Sequence, residues 1–253
     1  MPRGALFAMP IRIVGLLGLP EVQAGDDIAA LIRAALFERA TGGIEGGTIV
    51  VIAQKIVSKA EGATVDLRSI DPSEMARKWA AEYGKDPRLI ELILRESRRI
   101  VRMDRGVLIA ETRHGFIAAN AGIDQSNVPG EDFATTLPAD PDASARRIHA
   151  GLGCGAVIVS DTFGRPWREG LVNVAIGVSG LEALEDLRGV PDRTGRLLHS
   201  TTVAVADELA AAAGLAMPKS GGVPVALITG FEWRRGEGSG QALIRPPDRD
   251  LFR

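Results

Sequence analysis

Apolar positions along the chain fall into helical and strand rhythms that follow one another without a fixed order. Ile11 to Leu17 reads as a first strand. After Gly25-Asp26-Asp27, residues Ile28, Leu31, Ile32, Ala35 and Leu36 recur on one helical face, which predicts a capped helix. A glycine-rich turn from Gly42 to Gly47 ends it. Thr48 to Ala53 (TIVVIA) is a continuous apolar run of the kind expected in a strand covered on both faces, and VSKAEG behind it reads as a loop. Asp71-Pro72-Ser73-Glu74 joins a capping aspartate, a proline at the first helical position and a glutamate three places after the cap, predicting a helix that ends near Gly84. Asp86-Pro87 starts a second helix reaching about Glu96, and Asp140-Pro141 a third ending near Gly151. Val107 to Glu111 and Phe116 to Asn120 flank Thr112-Arg113-His114-Gly115 as a hairpin. Ala156 to Ser160, Val172 to Val178 and Val223 to Ile228 are further strands, and Ser200 reads as the cap of an alanine-rich helix stopping at Gly214. The mixture predicts an α+β class, with mixed, largely antiparallel sheets and packed helices. Residues 1–10 read as a tail and 11–253 as one functional unit that could divide into two subdomains.

Composition narrows the function classes. With 253 residues and 45% apolar content the chain can bury a large core. A net charge of −2 with interspersed signs gives no basic stripe for nucleic acid and no surface for anionic lipid, so neither partner is expected. A single cysteine, Cys154, excludes an internal disulfide and fits a reducing cytoplasm. Pro10 and Arg12 interrupt the apolar start too early for a signal peptide, and Asp207 and Glu208 break the alanine-rich stretch, so no membrane span is expected.

Four polar segments carry candidate chemistry. Asp124-Gln125-Ser126-Asn127 follows the hairpin, and Asp161-Thr162 follows the buried strand AVIVS. Two aspartates on stiff supports can meet as hard oxygen ligands for Mg²⁺ or Mn²⁺; the plain alternative is a turn and a cap. Lys59, behind another buried strand, can reach a phosphate as a point charge or simply lie on the surface. The segment Gly236-Glu237-Gly238-Ser239-Gly240-Gln241 can turn backbone N–H groups toward an anion or serve as a linker. No GxxxxGKS and no strand-linked GxGxxG is present, so a nucleotide site here belongs to a less common type. Arg113, Arg146, Arg147, Arg165 and Arg168 could neutralise a phosphorylated substrate or be surface residues. His114, His149 and His199 lack a neighbouring nucleophile and acid, and Cys154 reads as a small buried residue.

Several longer strings resemble one known family. GLPEV at Gly18 to Val22, AQKIVSKAEG at Ala53 to Gly62, ETRHGFIAANAGIDQSN at Glu111 to Asn127 and SDTFGRPWREG at Ser160 to Gly170 are similar to coenzyme F420-0:L-glutamate ligases. VNVAIGVSG, AVADELAAAAG and GVPVALITG extend the likeness in the same order from Ile11 onward. The resemblance implies an unusual F420-ligase fold in an intertwined, cytoplasmic homodimer. It also implies a GTP-dependent ligase that uses Mg²⁺ or Mn²⁺ at two sites, helped by K⁺, to join L-glutamate to F420-0 through an acyl phosphate.

By resemblance, Asp124 and Asp161 would be metal ligands, Thr162 would hold a second metal, and Glu237 is a candidate second-metal ligand. Leu19, Pro20, Glu21, Val22, Gln54, Lys59 and Asn127, with Gly236, Gly238, Ser239 and Gly240, would contact GTP, and Trp167 and the glycine tail are possible covers. No side chain is expected to act as a nucleophile. Some members carry a fused flavin-binding, nitroreductase-like domain, which is not expected in these 253 residues. The alternative is a GTP- and metal-binding relative that uses another carboxylate acceptor or has no ligase activity.

Overall fold

Apolar strands from both ends of the chain meet in one sheet, which is why its order could not be read locally. In the computed structural model, described for residues 10–38, 44 and 46–251, the strands of this central sheet are β1 (Arg12–Gly15), β2 (Ile49–Ala53), β8 (Ala156–Arg165), β9 (Arg168–Ser179) and β12 (Val225–Thr229). Their spatial order is β1-β12-β2-β8-β9; only β2 and β8 run parallel, with Ile49 opposite Ala156 and Ala53 opposite Ser160. The other pairings are antiparallel.

Both faces of the sheet are covered. Val50, Ile52, Val157 and Val159 point into a core with helices α1 (Ile28–Glu38) and α5 (Pro141–Leu152), through Ile32, Leu36, Ala145 and Ile148. Ile49, Val51, Ile158 and Ile228 point the other way, onto α6 (Val205–Gly214) through Ala206, Leu209 and Ala210. Every one of these sheet residues is at most 1% exposed. This double burial explains why TIVVIA and AVIVS show no polar alternation.

A third core lies beside the sheet. Here α3 (Glu74–Tyr83) and α4 (Pro87–Arg95) pack on the antiparallel strands β4 (Ser97–Asp104), β5 (Val107–Thr112) and β6 (Ile117–Ala119), with Trp79, Ile93, Leu108 and Ala110 buried between them. β3 (Thr64–Asp66) pairs with β7 (Phe133–Thr135), and β10 (Glu185–Asp186) with β11 (Thr202–Val203). The architecture is thus α+β with mostly antiparallel pairing, as the pattern predicted. No helix among the described residues is long and apolar enough to cross a membrane.

Several local expectations are corrected. VSKAEG is not a loop: the strand passes straight into α2 (Gln54–Ala60), with Ala53 as an N-cap that offers no side-chain bond. Asp71 does not cap α3; Ser73 does, its hydroxyl accepting from Ala76 N–H, while Asp71 pairs with Arg77. Ser200 lies ahead of β11, and α6 begins only at Val205. Asp161 and Thr162 do not follow a strand but lie inside one, because β8 continues to Arg165 before turning through Pro166-Trp167 into β9. β4 was not foreseen: register shifts between Ser97 and Arg99 and between Ile100 and Arg102 break the period of two. The tail up to residue 9 and positions 42, 43 and 45 of the Gly42–Gly47 turn lie outside the described residues.

Candidate active site

The parallel pair β2 and β8 sets the site, because both strands deliver their C-terminal ends to the same place. There β2 hands over to α2, whose first turn carries Gln54 and Lys55 and whose second carries Lys59. β8 brings Asp161 and Thr162 to the same end. Between this sheet end and the third core lies a cavity of about 800 Å³. Its walls include the Leu19–Val22 segment, the start of α2, the Asp124–Asn127 loop, the β8–β9 hairpin and the connection from Met217 to Pro224.

The Asp124 wall is rigid by construction. Asp124 exchanges backbone hydrogen bonds with Thr135 (3.1 and 2.8 Å), and its Oδ1 accepts from Ser126 N–H at 2.7 Å. Just upstream, Asn120, Ala121 and Gly122 all take left-handed φ (52°, 53° and 74°), a costly run for two residues with side chains. A Cβ on Gly122 would come within 2.9 Å of Leu137, so only glycine fits there. Asn127, also left-handed at φ 56°, lines the same cavity.

The charges on the walls interlock. Lys55 Nζ is 2.7 Å from Asp124 Oδ2 and donates to Ser126 O at 3.0 Å. Burial pushes the Asp124 carboxyl up, but Lys55 and Ser126 outweigh it and hold it below the ordinary carboxylate range. Asp161 is served less well. Burial pushes its carboxyl up to about 6; the Asp124 charge adds to the rise, and the Thr162 N–H, Lys219 and Gln54 only partly oppose it. Gln54 is itself buried and accepts from Ser58 Oγ at 2.8 Å. Lys59 is paired with Glu21 of the Leu19–Val22 segment, and Lys219 donates to Thr162 Oγ1.

Three lysines and three acids thus face one cavity. This arrangement suits a polyphosphate with a hard cation: lysines neutralise phosphate oxygens, and carboxylates hold the cation. Among the described residues no three His, Cys, Asp or Glu side chains gather as a cage. That donor set fits Mg²⁺ or Mn²⁺ bound through one or two carboxylates, with substrate oxygens and water completing the shell.

The structure gathers most of the sequence candidates here: Leu19, Pro20, Glu21, Val22, Gln54, Lys59, Asn127, Asp124, Asp161 and Thr162 all line the cavity. Gly236, Glu237, Gly238, Ser239 and Gly240 do not. That segment packs on β9, where a Cβ on Gly240 would come within 2.3 Å of Ile176 O. It does hold an anion, but one from this chain: Gly240 N–H donates to Asp142 Oδ1 at 2.8 Å and Ser239 Oγ donates to Asp142 Oδ2.

None of the five candidate arginines lines the cavity; Arg113 pairs with Glu96, Arg146 with Asp140 and Arg147 with Glu61. Trp167 stands at the hairpin tip, 80% exposed, and is not part of the cavity wall. His149 bonds Ser179 and the Cys154 carbonyl, and burial pushes the Cys154 thiol up to about 11, which leaves it a poor nucleophile.

Sequence reasoning missed Lys55 and Lys219. Lys55 was legible once α2 is read as a helix, since positions 55 and 59 lie one turn apart on one face. Nothing in MPKSGG signals that Lys219 crosses to Thr162.

Fold and cavity together define an α+β protein built to bring anionic and cationic groups together at the end of a sheet. The chain belongs to the F420-0:Gamma-glutamyl ligase family, whose model matches residues 17–230. It is 50% identical to the coenzyme F420:L-glutamate ligase of Methanothermobacter thermautotrophicus, over 97% of this chain and 100% of that one. It is 46% identical to the protein of the same name from Methanopyrus kandleri (92% and 94%), and 41% identical to that of Methanocaldococcus jannaschii (96% and 97%).

Proposed function

We propose that the protein ligates L-glutamate to coenzyme F420-0 in F420 biosynthesis, using GTP and a divalent cation. The observation that carries this reading is the cavity lined together by Asp124, Asp161, Lys55, Lys59 and Lys219, in a chain of this family. A carboxylate oxygen of the acceptor attacks the γ-phosphorus of GTP, the bond to GDP breaks, and an acyl phosphate results. The amine of glutamate then attacks the acyl carbon, phosphate leaves, the nitrogen gives up a proton, and the amide is formed.

Divalent metal held at Asp124 and Asp161 would supply charge neutralisation for the phosphate oxygens during transfer. The chain's own part is positioning. Lys55 and Lys59 exchange their present partners, Asp124 and Glu21, for phosphate oxygens. Asn127 and the Leu19–Val22 segment border the nucleotide, and the apolar wall of Leu19, Ile56, Ile123 and Phe163 lowers the water content around the acyl phosphate. The cytoplasmic setting and the homodimer belong to the same reading, and sedimentation at micromolar concentration tests the dimer.

The deciding experiment is mass spectrometry of products from F420-0, L-glutamate, GTP and Mn²⁺, with each component omitted in turn. Mass increments of one or more glutamates that require GTP and metal support the reading. Tight GTP binding without product would point instead to another acceptor.

A further inference from the structure

The passage from β2 into α2 encloses a polar pair that the chemistry above does not use. Gln54 opens the helix directly after the strand, and Ser58 follows one turn later on the same face. Gln54 is 3% exposed and Ser58 is fully buried. An amide and a hydroxyl at such depth are costly unless bonded. Ser58 Oγ donates to Gln54 Oε1 at 2.8 Å, which accounts for the hydroxyl and for the oxygen end of the amide.

The sheet register shows where the nitrogen end goes. Ala53 lies opposite Ser160 in the parallel β2–β8 pair, so the residues that follow them, Gln54 and Asp161, are neighbours at the end of the sheet. Gln54 donates to the Asp161 carboxylate there. An ionised carboxylate only accepts, so an amide turned the other way would set oxygen against oxygen. The Ser58 proton on Oε1 and the Asp161 carboxylate beside the nitrogen therefore select one and the same amide orientation. Val57, buried in the core between them in sequence, pins the helix that carries the pair. Asp124 is held in a comparable way, by Ser126 N–H and Oγ and by Lys55. A carboxylate that binds a cation needs such outer bonds to aim its remaining lone pairs.

Resting on the metal reading above, we infer that Ser58 and Gln54 form a relay that positions Asp161, fixing one side of its carboxylate so that the other is presented to the divalent cation. Both are positioning residues that act through Asp161.

The test is the double variant Gln54→Leu with Ser58→Ala, which leaves neither half of the pair unbonded in the core and so keeps the fold. Mn²⁺ is titrated into the full chain with an equimolar non-hydrolysable GTP analogue, and the bound ion is followed by electron paramagnetic resonance. The double variant is expected to lose about tenfold to a hundredfold in Mn²⁺ affinity, while its thermal midpoint and its analogue affinity at saturating Mn²⁺ stay near those of wild type. Ser58→Ala alone, which frees the amide to turn, is expected to lose about threefold to tenfold, the scale of one neutral hydrogen bond; it decides the matter if the double variant does not fold. Mn²⁺ affinity equal to wild type, or a loss of analogue affinity that saturating Mn²⁺ does not restore, overturns the inference and leaves the metal reading standing. Failure of wild type to bind Mn²⁺ overturns both.

Discussion

Asp142 and Asp161 are both carboxylates set among the packed elements of the central sheet, yet their surroundings are opposite. Asp142, 7% exposed on α5, accepts from Val178 N–H and Gly240 N–H, each at 2.8 Å, and from the Ser239 hydroxyl. All its capacity goes into tying helix, strand and glycine segment together. Asp161 has one backbone N–H, Gln54 and the more distant charge of Lys219, and a second carboxylate near enough to raise it further. A buried anion whose bonds are all made within the chain is a fastener; one left short of partners awaits a cation from outside.

The largest test of this contrast is on turnover. Asp161→Asn, with Asp124→Asn beside it, is expected to lower ligase turnover about a thousandfold, the scale of losing a main electrostatic contact in phosphoryl transfer. Near-normal rates would remove that residue from the metal site. Asp142→Ala should instead leave nucleotide affinity alone and cost about 3 kcal/mol of folding stability, because two backbone N–H groups lose a charged acceptor; urea unfolding reads it.

A third test uses pH. The Asp161 carboxyl is raised from an ordinary value of 3.8 to about 6 in the folded chain. Ionising it therefore opposes folding, with a penalty absent below the ordinary value and fully present above about 6. In chelator, Asp161→Asn should then gain about 1–2 kcal/mol at pH 8 relative to wild type, discounted for the side chain's access to the cavity, and the gain should shrink toward pH 4. A thermal melt series that shows no pH-dependent gain breaks the contrast. The smallest effect is Ser239→Ala, which removes one of the three Asp142 bonds and should cost about 1 kcal/mol.

The sequence made the buried strands, most helix starts and the two aspartates legible, because double burial and capping leave local marks. α2 escaped because Ala53 begins it with neither a capping side chain nor a Gly or Pro break. The extension of β8 past Ser160 escaped because only its pairing with β9, not its composition, makes Asp161 and Thr162 strand residues. The glycine segment reads in sequence as an anion cradle or a linker; only packing reveals that it cradles Asp142 of the same chain. Lys219 depends on where the α6–β12 connection passes, a fact of topology with no local signature.

The insertion of β12 between β1 and β2 has a consequence for synthesis. Both older strands keep an open edge until residues 225–229 have left the ribosome, and the Met217–Pro224 wall of the cavity arrives with them. Closing the sheet pairs Arg12 with Thr229 and Ile52 with Val225, partners far apart along the chain, a slow, non-local step. During translation the nascent chain therefore carries bare β edges open to mispairing, and it has no working cavity until β12 has emerged.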